Sequence, residues 1–224
     1  MNHFYNRSVV FLLLTVGVMP LHAQKQTKLF QPKDSGAWHV YTSKAGTGAD
    51  PLKVFQFEGK MIHVSGEDFA YLITEKDYAN FHLTLEFKWG TKKYPPRENA
   101  KRDAGVLYHA IIYNGDKIWP RSLEYQIQEG DCGDFWMTDS TTIYYNDTLT
   151  KPAPWFRGIK SKDGEKPNGE WNKAEVIVKD GKITHLLNGM VVNEGRPGNT
   201  TTGKIVIQSE GAELFYRKIV VQEF

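Results

Sequence analysis

Hydrophobic and polar residues alternate along several segments of this chain, and alternation with a period of two predicts β-strands with one buried face. Residues 81–89 carry Phe, Leu, Leu, Phe and Trp on one side and His, Thr, Glu and Lys on the other. Residues 105–112 and 122–128 are predicted as further strands. Asp180-Gly181 and Asn188-Gly189 are tight-turn signals between predicted strands nearer the C-terminus.

Helical periodicity is nearly absent from the sequence. Many strands separated by closely spaced turn signals within one domain predict an all-β sandwich. Two long segments, residues 90–103 and 130–172, lack a clear strand pattern. Because the second segment is rich in aromatic residues, we expect an ordered loop that covers one sheet rather than a disordered linker.

The first 23 residues have the pattern of a secretory signal peptide. His3 and Arg7 precede an apolar run at residues 9–18, and Ala23 supplies a small residue at the predicted cleavage point. The run is about ten residues long, whereas a membrane-spanning helix needs about 20. We therefore expect a mature single domain of residues 24–224 that is periplasmic or secreted and not attached to a membrane after cleavage. The alternative interpretation is a buried N-terminal strand.

Charge and cysteine content narrow the possible partners. The 28 Lys and Arg residues nearly balance the 26 Asp and Glu residues, for a net charge of +2, and no basic block supports a nucleic-acid partner. Cys132 is the one cysteine, so no intrachain disulfide can form. Its acidic neighbours disfavour the thiolate, so we do not expect a nucleophilic cysteine. The sequence leaves the oligomeric state open.

The segment WPRSLEYQIQEGDCGDFW, residues 119–136, is the richest in candidate chemistry. One face of its predicted strand is apolar, and the other face carries an unbroken polar row: Ser122, Glu124, Gln126 and Gln128. The second half of the segment combines carboxylates, glycines and aromatic residues. Such a row is either a solvated sheet face or a binding site.

An ordered series of short motifs covers nearly the whole chain after residue 23. The motifs include residues 72–74, 81–87, 103–108 (DAGVLY), 123–127 (LEYQI), 169–172 (GEWN), 187–189 (LNG), 203–208 (GKIVIQ) and 215–219 (FYRKI). In this order they resemble the 3-keto-disaccharide hydrolase family. Each motif is weak, but their order is specific. The resemblance implies a concanavalin-like jelly roll of two curved antiparallel sheets, with a sugar site on the concave sheet.

The activity that the resemblance implies is cleavage of glycosides whose sugar carries a ketone at carbon 3. The ketone acidifies the hydrogen on carbon 2, loss of that proton expels the group on carbon 1, and water then adds to the unsaturated ketone. This chemistry needs a base for the proton, a cation or metal for the enolate oxygen, and an acid for the leaving group. The implied partner is a carbohydrate substrate.

The polar faces of three predicted strands supply the candidate catalytic residues Glu86, His109 and Glu124. If the three strands are neighbours, roughly 4.8 Å apart, these side chains can converge. His109 is the favoured base because the ordinary pKa of histidine, about 6.5, lies near neutrality. Glu124 would orient His109, act as a base itself or bind a metal. A structural or solvent-facing role is the alternative for each residue.

The expected substrate-binding residues surround the same strand: Arg121, Gln126, Gln128, Asp131, Asp134, Trp136 and Trp155. Trp136 would stack on a pyranose ring, an aspartate of the acidic loop would accept hydrogen bonds from hydroxyl groups, and Trp155 would cover the ligand. Arg121 would hold a hydroxyl group or the ketone. The acidic loop, residues 129–136, could instead bind a divalent cation such as Ca²⁺, or form a surface turn with Phe135 and Trp136 packed as core.

Two other functions fit parts of the sequence. A retaining glucanase of the same fold needs two carboxyl groups about 5–5.5 Å apart, whereas Gln126 and Gln128 cannot ionise and Glu129 is expected on the opposite face. A non-catalytic lectin-like module would use the polar row and the aromatic residues for binding alone.

Overall fold

The computed structural model describes Met1, residues 26–112 and residues 117–224. Residues 2–23 of the predicted signal peptide lie outside this described part of the chain. Within it, no helix combines the length and the hydropathy that crossing a membrane requires.

The described residues form eighteen strands and one short 3-10 helix at Pro32–Ala37. In chain order the strands are β1 Gln26–Lys28, β2 Trp38–Thr42, β3 Gly46–Thr47, β4 Phe55–Glu58, β5 Met61–Val64, β6 Ala70–Thr74, β7 Phe81–Lys93, β8 Asp103–Ile111, β9 Arg121–Gln128, β10 Phe135–Thr138, β11 Ile143–Tyr145, β12 Thr148–Leu149, β13 Trp155–Gly158, β14 Asn172–Lys179, β15 Lys182–Leu187, β16 Met190–Pro197, β17 Lys204–Ser209 and β18 Ala212–Glu223.

These strands pair antiparallel in two sheets. The ten-stranded sheet has the order β12-β11-β16-β15-β14-β7-β18-β5-β4, with β1 paired to β18. The eight-stranded sheet has the order β13-β10-β9-β8-β17-β6-β2-β3. The prediction of an all-β sandwich of two antiparallel sheets is confirmed.

Alternation within each strand places the core between the two sheets. The inward residues of β7 and β9 are almost completely buried: Phe81, Leu83, Leu85, Phe87, Leu123, Tyr125 and Ile127. Burying one such side chain stabilises a fold by about 1.5–3 kcal/mol. Because one face of β9 is committed to this core, its polar row must lie on the face that points away from the core, called here the outer face of the eight-stranded sheet.

The long segment at residues 130–172 is not the irregular loop that we expected. It contains four short strands, of which β10 and β13 extend the eight-stranded sheet while β11 and β12 extend the ten-stranded sheet. Its aromatic residues divide accordingly: Tyr145 and Phe156 pack against the core, whereas Trp155 is 64% exposed. The period of two is hard to recognise in strands of two to four residues, which is why the sequence pattern missed them.

A buried polar contact joins the sheets. The ring of His185, on β15, lies 2.9 Å from the hydroxyl of Tyr108 through Nε2 and 3.1 Å from the carbonyl oxygen of Gly133 through Nδ1. Since a carbonyl can only accept, Nδ1 carries the proton and the Tyr108 hydroxyl donates to Nε2. Burial lowers the pKa of His185 to about 3, so the imidazole is neutral in the folded protein.

This histidine should make the fold sensitive to acid. The unfolded chain takes up the His185 proton near pH 6.5 and the folded chain only near pH 3, so stability is lost as the pH falls between these values. At pH 4.5 the loss is on the order of 2–3 kcal/mol. Urea unfolding of the wild type and of His185→Gln at pH 7.5 and pH 4.5 measures it. The variant should lose less stability than the wild type on acidification, and equal losses would contradict the assignment.

Candidate functional site

A cleft of about 320 Å³ lies on the outer face of the eight-stranded sheet. Its walls and floor come from strands β8, β9, β10, β13 and β17 and from the segments that flank them. The lining residues are Arg97, Asp103, Trp119, Glu124, Gln126, Gln128, Trp136, Thr138, Trp155, Gln208 and Glu210. The polar row of β9 is therefore the floor of a cleft and not a plain solvated face.

Glu124 is at the centre of the floor because of its strand neighbours. It pairs with Leu107 of β8 and with Trp136 of β10. Gly105 contributes no side chain: a Cβ atom there would lie 1.9 Å from Oε1 of Glu124 and 2.4 Å from Oε1 of Gln208. The missing side chain lets the Glu124 carboxyl group lie over the backbone of β8, where the residue is 6% exposed.

Two further carboxyl groups meet at Arg97 beside this floor. The guanidinium group of Arg97 donates to Asp103 through one terminal nitrogen and to Oε1 of Glu210, at 3.1 Å, through the other. Asp103 also accepts hydrogen bonds from the side-chain amides of Gln126, at 3.0 Å, and Gln128, at 2.5 Å. This Asp103–Arg97–Glu210 cluster fixes both glutamines of the polar row.

The carboxyl groups of the cleft bind protons more tightly than ordinary ones. Burial raises the pKa of Asp103 to about 6 despite the opposing charge of Arg97. Burial, together with the charge of Asp103, raises the pKa of Glu210 to about 8. The pKa of Glu124 lies well above its usual range, first because of burial and then because of the charges of Glu210 and Asp103. Glu124 is therefore favoured as a protonated carboxylic acid, which can donate a hydrogen bond.

Tryptophan rings form one wall of the cleft. The Trp136 and Trp155 rings lie 5.6 Å apart between centroids at 40°, and the indole nitrogen of Trp136 is buried without a hydrogen-bond partner. Arg157 of β13, which is paired with Trp136 in the sheet, forms ion pairs with Asp134 at 2.6 Å and Asp131 at 2.9 Å. These contacts hold β13 against the end of β10 and so position the wall.

The floor continues into an apolar region that is covered. Leu107 and Val206 are completely buried on the outer side of the sheet, in a cluster with Tyr71 and Ile73. Ile118 and Trp119, from the connection before β9, pack on this cluster. The cleft is consequently closed at this end, with Trp119 at the boundary.

The expected convergence of Glu86, His109 and Glu124 is wrong. Glu86 is on β7, which belongs to the ten-stranded sheet, where it pairs with Arg217 at 2.6 Å and Lys218 at 2.8 Å. His109 has a left-handed backbone, with φ of 49°, beside an irregularity in the pairing of β8 with β9. Its ring is buried, 3.1 Å from the Ala79 carbonyl oxygen, and packs on a core phenylalanine. Only Glu124 of the three lines the cleft.

The predicted binding residues divide in the same way. Gln126, Gln128, Trp136 and Trp155 line the cleft. Asp131 and Asp134 do not, because their carboxylates are bound by Arg157 outside the cleft lining. Arg121 is also absent from the lining, since alternation along β9 places it on the side of Leu123. Among the described residues, no three His, Cys, Asp or Glu side chains are grouped as a metal site would require.

Six lining residues were missed by the sequence reasoning: Arg97, Asp103, Trp119, Thr138, Gln208 and Glu210. Asp103 had a usable signal, because it shares a face with Gly105 on the predicted strand. Arg97 and Glu210 come from segments 113 positions apart, and no local pattern brings them together. Asp103 and Glu210 thus provide carboxyl groups in addition to Glu124. The polar row of β9 alone contains no second carboxyl group of the kind that a glucanase needs.

Residues 25–222 match a protein family described as the 3-keto-alpha-glucoside-1,2-lyase-like domain. The chain belongs to this family. The resemblance inferred from the ordered motifs is confirmed, and membership of the 3-keto-alpha-glucoside-1,2-lyase-like family supports a carbohydrate-active function with a carbohydrate ligand. A comparison with curated proteins finds no match.

Solved structures share the jelly-roll fold of this family member. Two candidate glycosyl hydrolases from Parabacteroides distasonis superimpose with TM-scores of 0.58, at 19% and 18% identity, covering 84% and 89% of this chain and 89% and 100% of theirs. A β-glucanase from Bacillus licheniformis has a TM-score of 0.54 at 9% identity and covers 91% of this chain and 99% of its own. The carbohydrate-binding module CBM66 from Bacillus subtilis has a TM-score of 0.53 at 6% identity, with 75% and 91% covered.

Proposed function

We propose that the chain is an exported bacterial enzyme that cleaves 3-keto-glycosides by elimination across carbons 2 and 1, followed by hydration. The observation that carries the proposal is the floor of the cleft. There a carboxyl group favoured in its protonated form, that of Glu124, lies near the Asp103–Arg97–Glu210 cluster. Family membership supports the substrate class.

Glu210 is the proposed base. Within the described residues Arg97 is its one hydrogen-bond donor, and its side chain is 16% exposed, against 6% for Asp103. Asp103 is held by Arg97 and two glutamines, so it is less free to turn toward a substrate. A pKa of about 8 makes ionised Glu210 a stronger base than an ordinary carboxylate while keeping it accessible near neutral pH.

Glu124 is the proposed hydrogen-bond donor to the ketone oxygen. When Glu210 removes the proton from carbon 2, the electron pair moves toward the ketone and negative charge develops on that oxygen. A buried, neutral carboxylic acid stabilises this charge, as preorganised donors do in other enolate-forming sites. The bond between carbon 1 and the leaving oxygen then breaks, and Glu210 returns the proton to the leaving oxygen. Water finally adds across the unsaturated ketone, giving the free 3-keto sugar.

Turnover of matched sugars tests the function directly. The purified protein is incubated with a 3-keto-glucoside and with the unoxidised glucoside, and released alcohol and sugar are measured. We expect turnover of the keto sugar alone. Binding of either sugar without turnover would indicate a lectin-like module, and turnover of the unoxidised sugar would indicate an ordinary glycosidase. A parallel assay after EDTA treatment tests whether activity needs a divalent cation, which residues 129–136 were considered to bind.

Trp155 should contribute to substrate binding rather than to folding. Its ring is largely exposed beside Trp136, so replacement by alanine removes a stacking surface but little core. Since aromatic contacts contribute about 0.5–1.5 kcal/mol, KM should rise roughly two- to tenfold with little change in kcat or in the melting temperature. Leu149→Ala, at another exposed apolar position, is the control. An unchanged KM in Trp155→Ala would remove Trp155 from the site.

A further inference from the structure

Gln208 presents an unsatisfied acceptor to the cleft. The residue is 2% exposed, and its carbonyl oxygen Oε1 has no hydrogen-bond partner among the described residues. It lines the cleft and lies beside the Glu124 carboxyl group, across the gap left by Gly105. A buried carbonyl oxygen without a partner is unfavourable. The proton of the neighbouring Glu124 can be directed at it in the free protein, and when a bound ketone takes that proton the position is open to a donor from the ligand.

The chemistry of the ligand decides which group can fill this position. A ketone oxygen only accepts hydrogen bonds, so it cannot pair with the Gln208 carbonyl oxygen. A sugar hydroxyl group can donate to it. Because Glu124 and Gln208 are neighbours across one glycine, the groups that they bind are expected on adjacent carbons of one ring. The floor therefore offers a donor for a ketone beside an acceptor for a hydroxyl group.

We propose that Gln208 is a specificity-determining residue that accepts a hydrogen bond from the hydroxyl group next to the ketone, on carbon 2 or carbon 4. This inference rests on the proposed function and narrows it. The preferred substrates are 3-keto sugars that keep a free hydroxyl group beside the ketone. Analogues that lack this hydroxyl group leave the Gln208 carbonyl oxygen unpaired in the complex and are selected against.

A cycle of variants and substrates tests the proposal. We would measure kcat/KM for wild type and Gln208→Leu on a 3-keto-glucoside and on its 2-deoxy and 4-deoxy analogues. The wild type should lose at least tenfold on one deoxy analogue. Gln208→Leu should lose a similar factor on the parent sugar and lose no more on that same analogue, because the contact is already gone. Gln208→Met, closer in shape, replaces Gln208→Leu if the latter does not fold.

Gln126→Leu is the matched control, since the Gln126 amide already has a partner in Asp103. It should lower activity on all three sugars and keep the wild-type discrimination. If Gln208→Leu also keeps that discrimination, the proposal is overturned while the proposed function stands.

If the wild type turns over none of the sugars, the same cycle is run on dissociation constants by calorimetry. Discrimination that depends on Gln208 then supports the proposal without the enzyme activity, and absence of binding overturns it.

Discussion

Glu124→Gln should reduce kcat/KM for a 3-keto-glucoside by about 10²- to 10³-fold, the loss found when one preorganised donor to a developing oxyanion is removed. The amide keeps the size of the carboxylic acid and can still donate a hydrogen bond. It is a weaker donor, however, and cannot share its proton with an enolate. Because Glu124 forms no ion pair with another described residue and is favoured in its neutral form, the exchange should leave the melting temperature nearly unchanged.

Glu86→Gln is the control for this experiment. It also removes a carboxyl group from a strand, but on the ten-stranded sheet, where Glu86 pairs with Arg217 and Lys218. Its activity should equal that of the wild type. Two results would refute the assignment of Glu124: unfolding of Glu124→Gln, which would make the residue structural, or full activity in the folded variant.

Glu210→Gln should lower kcat/KM by about 10²- to 10⁴-fold, the usual contribution of a positioned base. The pH profile gives a sharper test. Glu210 can take a proton only when ionised, so wild-type kcat/KM should rise with pH through about 8, where this carboxyl group loses its proton. The Glu210→Gln variant should show a lower kcat/KM and no increase of kcat/KM with pH in this range. Steady-state kinetics between pH 5.5 and 9.5 would show both effects.

Asp103→Asn separates the base from its neighbour. The charge of Asp103 helps to raise the pKa of Glu210, so removing that charge should move the rise in kcat/KM to lower pH. A rise that persists unchanged in Glu210→Gln would mean that another group is the base, and Asp103 would be the first candidate.

The sequence was most informative where a regular period fixed the side of the sheet on which a residue lies. Leu123, Tyr125 and Ile127 commit one face of β9 to the core, so Glu124 and Gln126 had to lie on the other. This reasoning needs no knowledge of the neighbouring strands. It correctly placed Glu124, Gln126 and Gln128 on the face that carries the cleft.

The remaining residues depended on information that a local pattern does not contain. Glu86 has the same alternating surroundings as Glu124, but strand pairing places β7 in the opposite sheet. At His109, a left-handed residue beside a pairing irregularity breaks the alternation and turns the ring inward. Arg97 and Glu210 meet only because the chain returns to the same end of the central strands after more than a hundred residues.

The covered apolar cluster limits which carbohydrates can reach the floor. Leu107 and Val206 are fully buried under Ile118 and Trp119. These covering residues block one end of the cleft, where an endo-acting enzyme would need an open groove. A polymer lying across the sheet would have to displace them, whereas a terminal sugar can enter from the tryptophan side and stop against them. For the proposed enzyme we therefore expect attack on chain ends and on small glycosides rather than cuts within a polysaccharide.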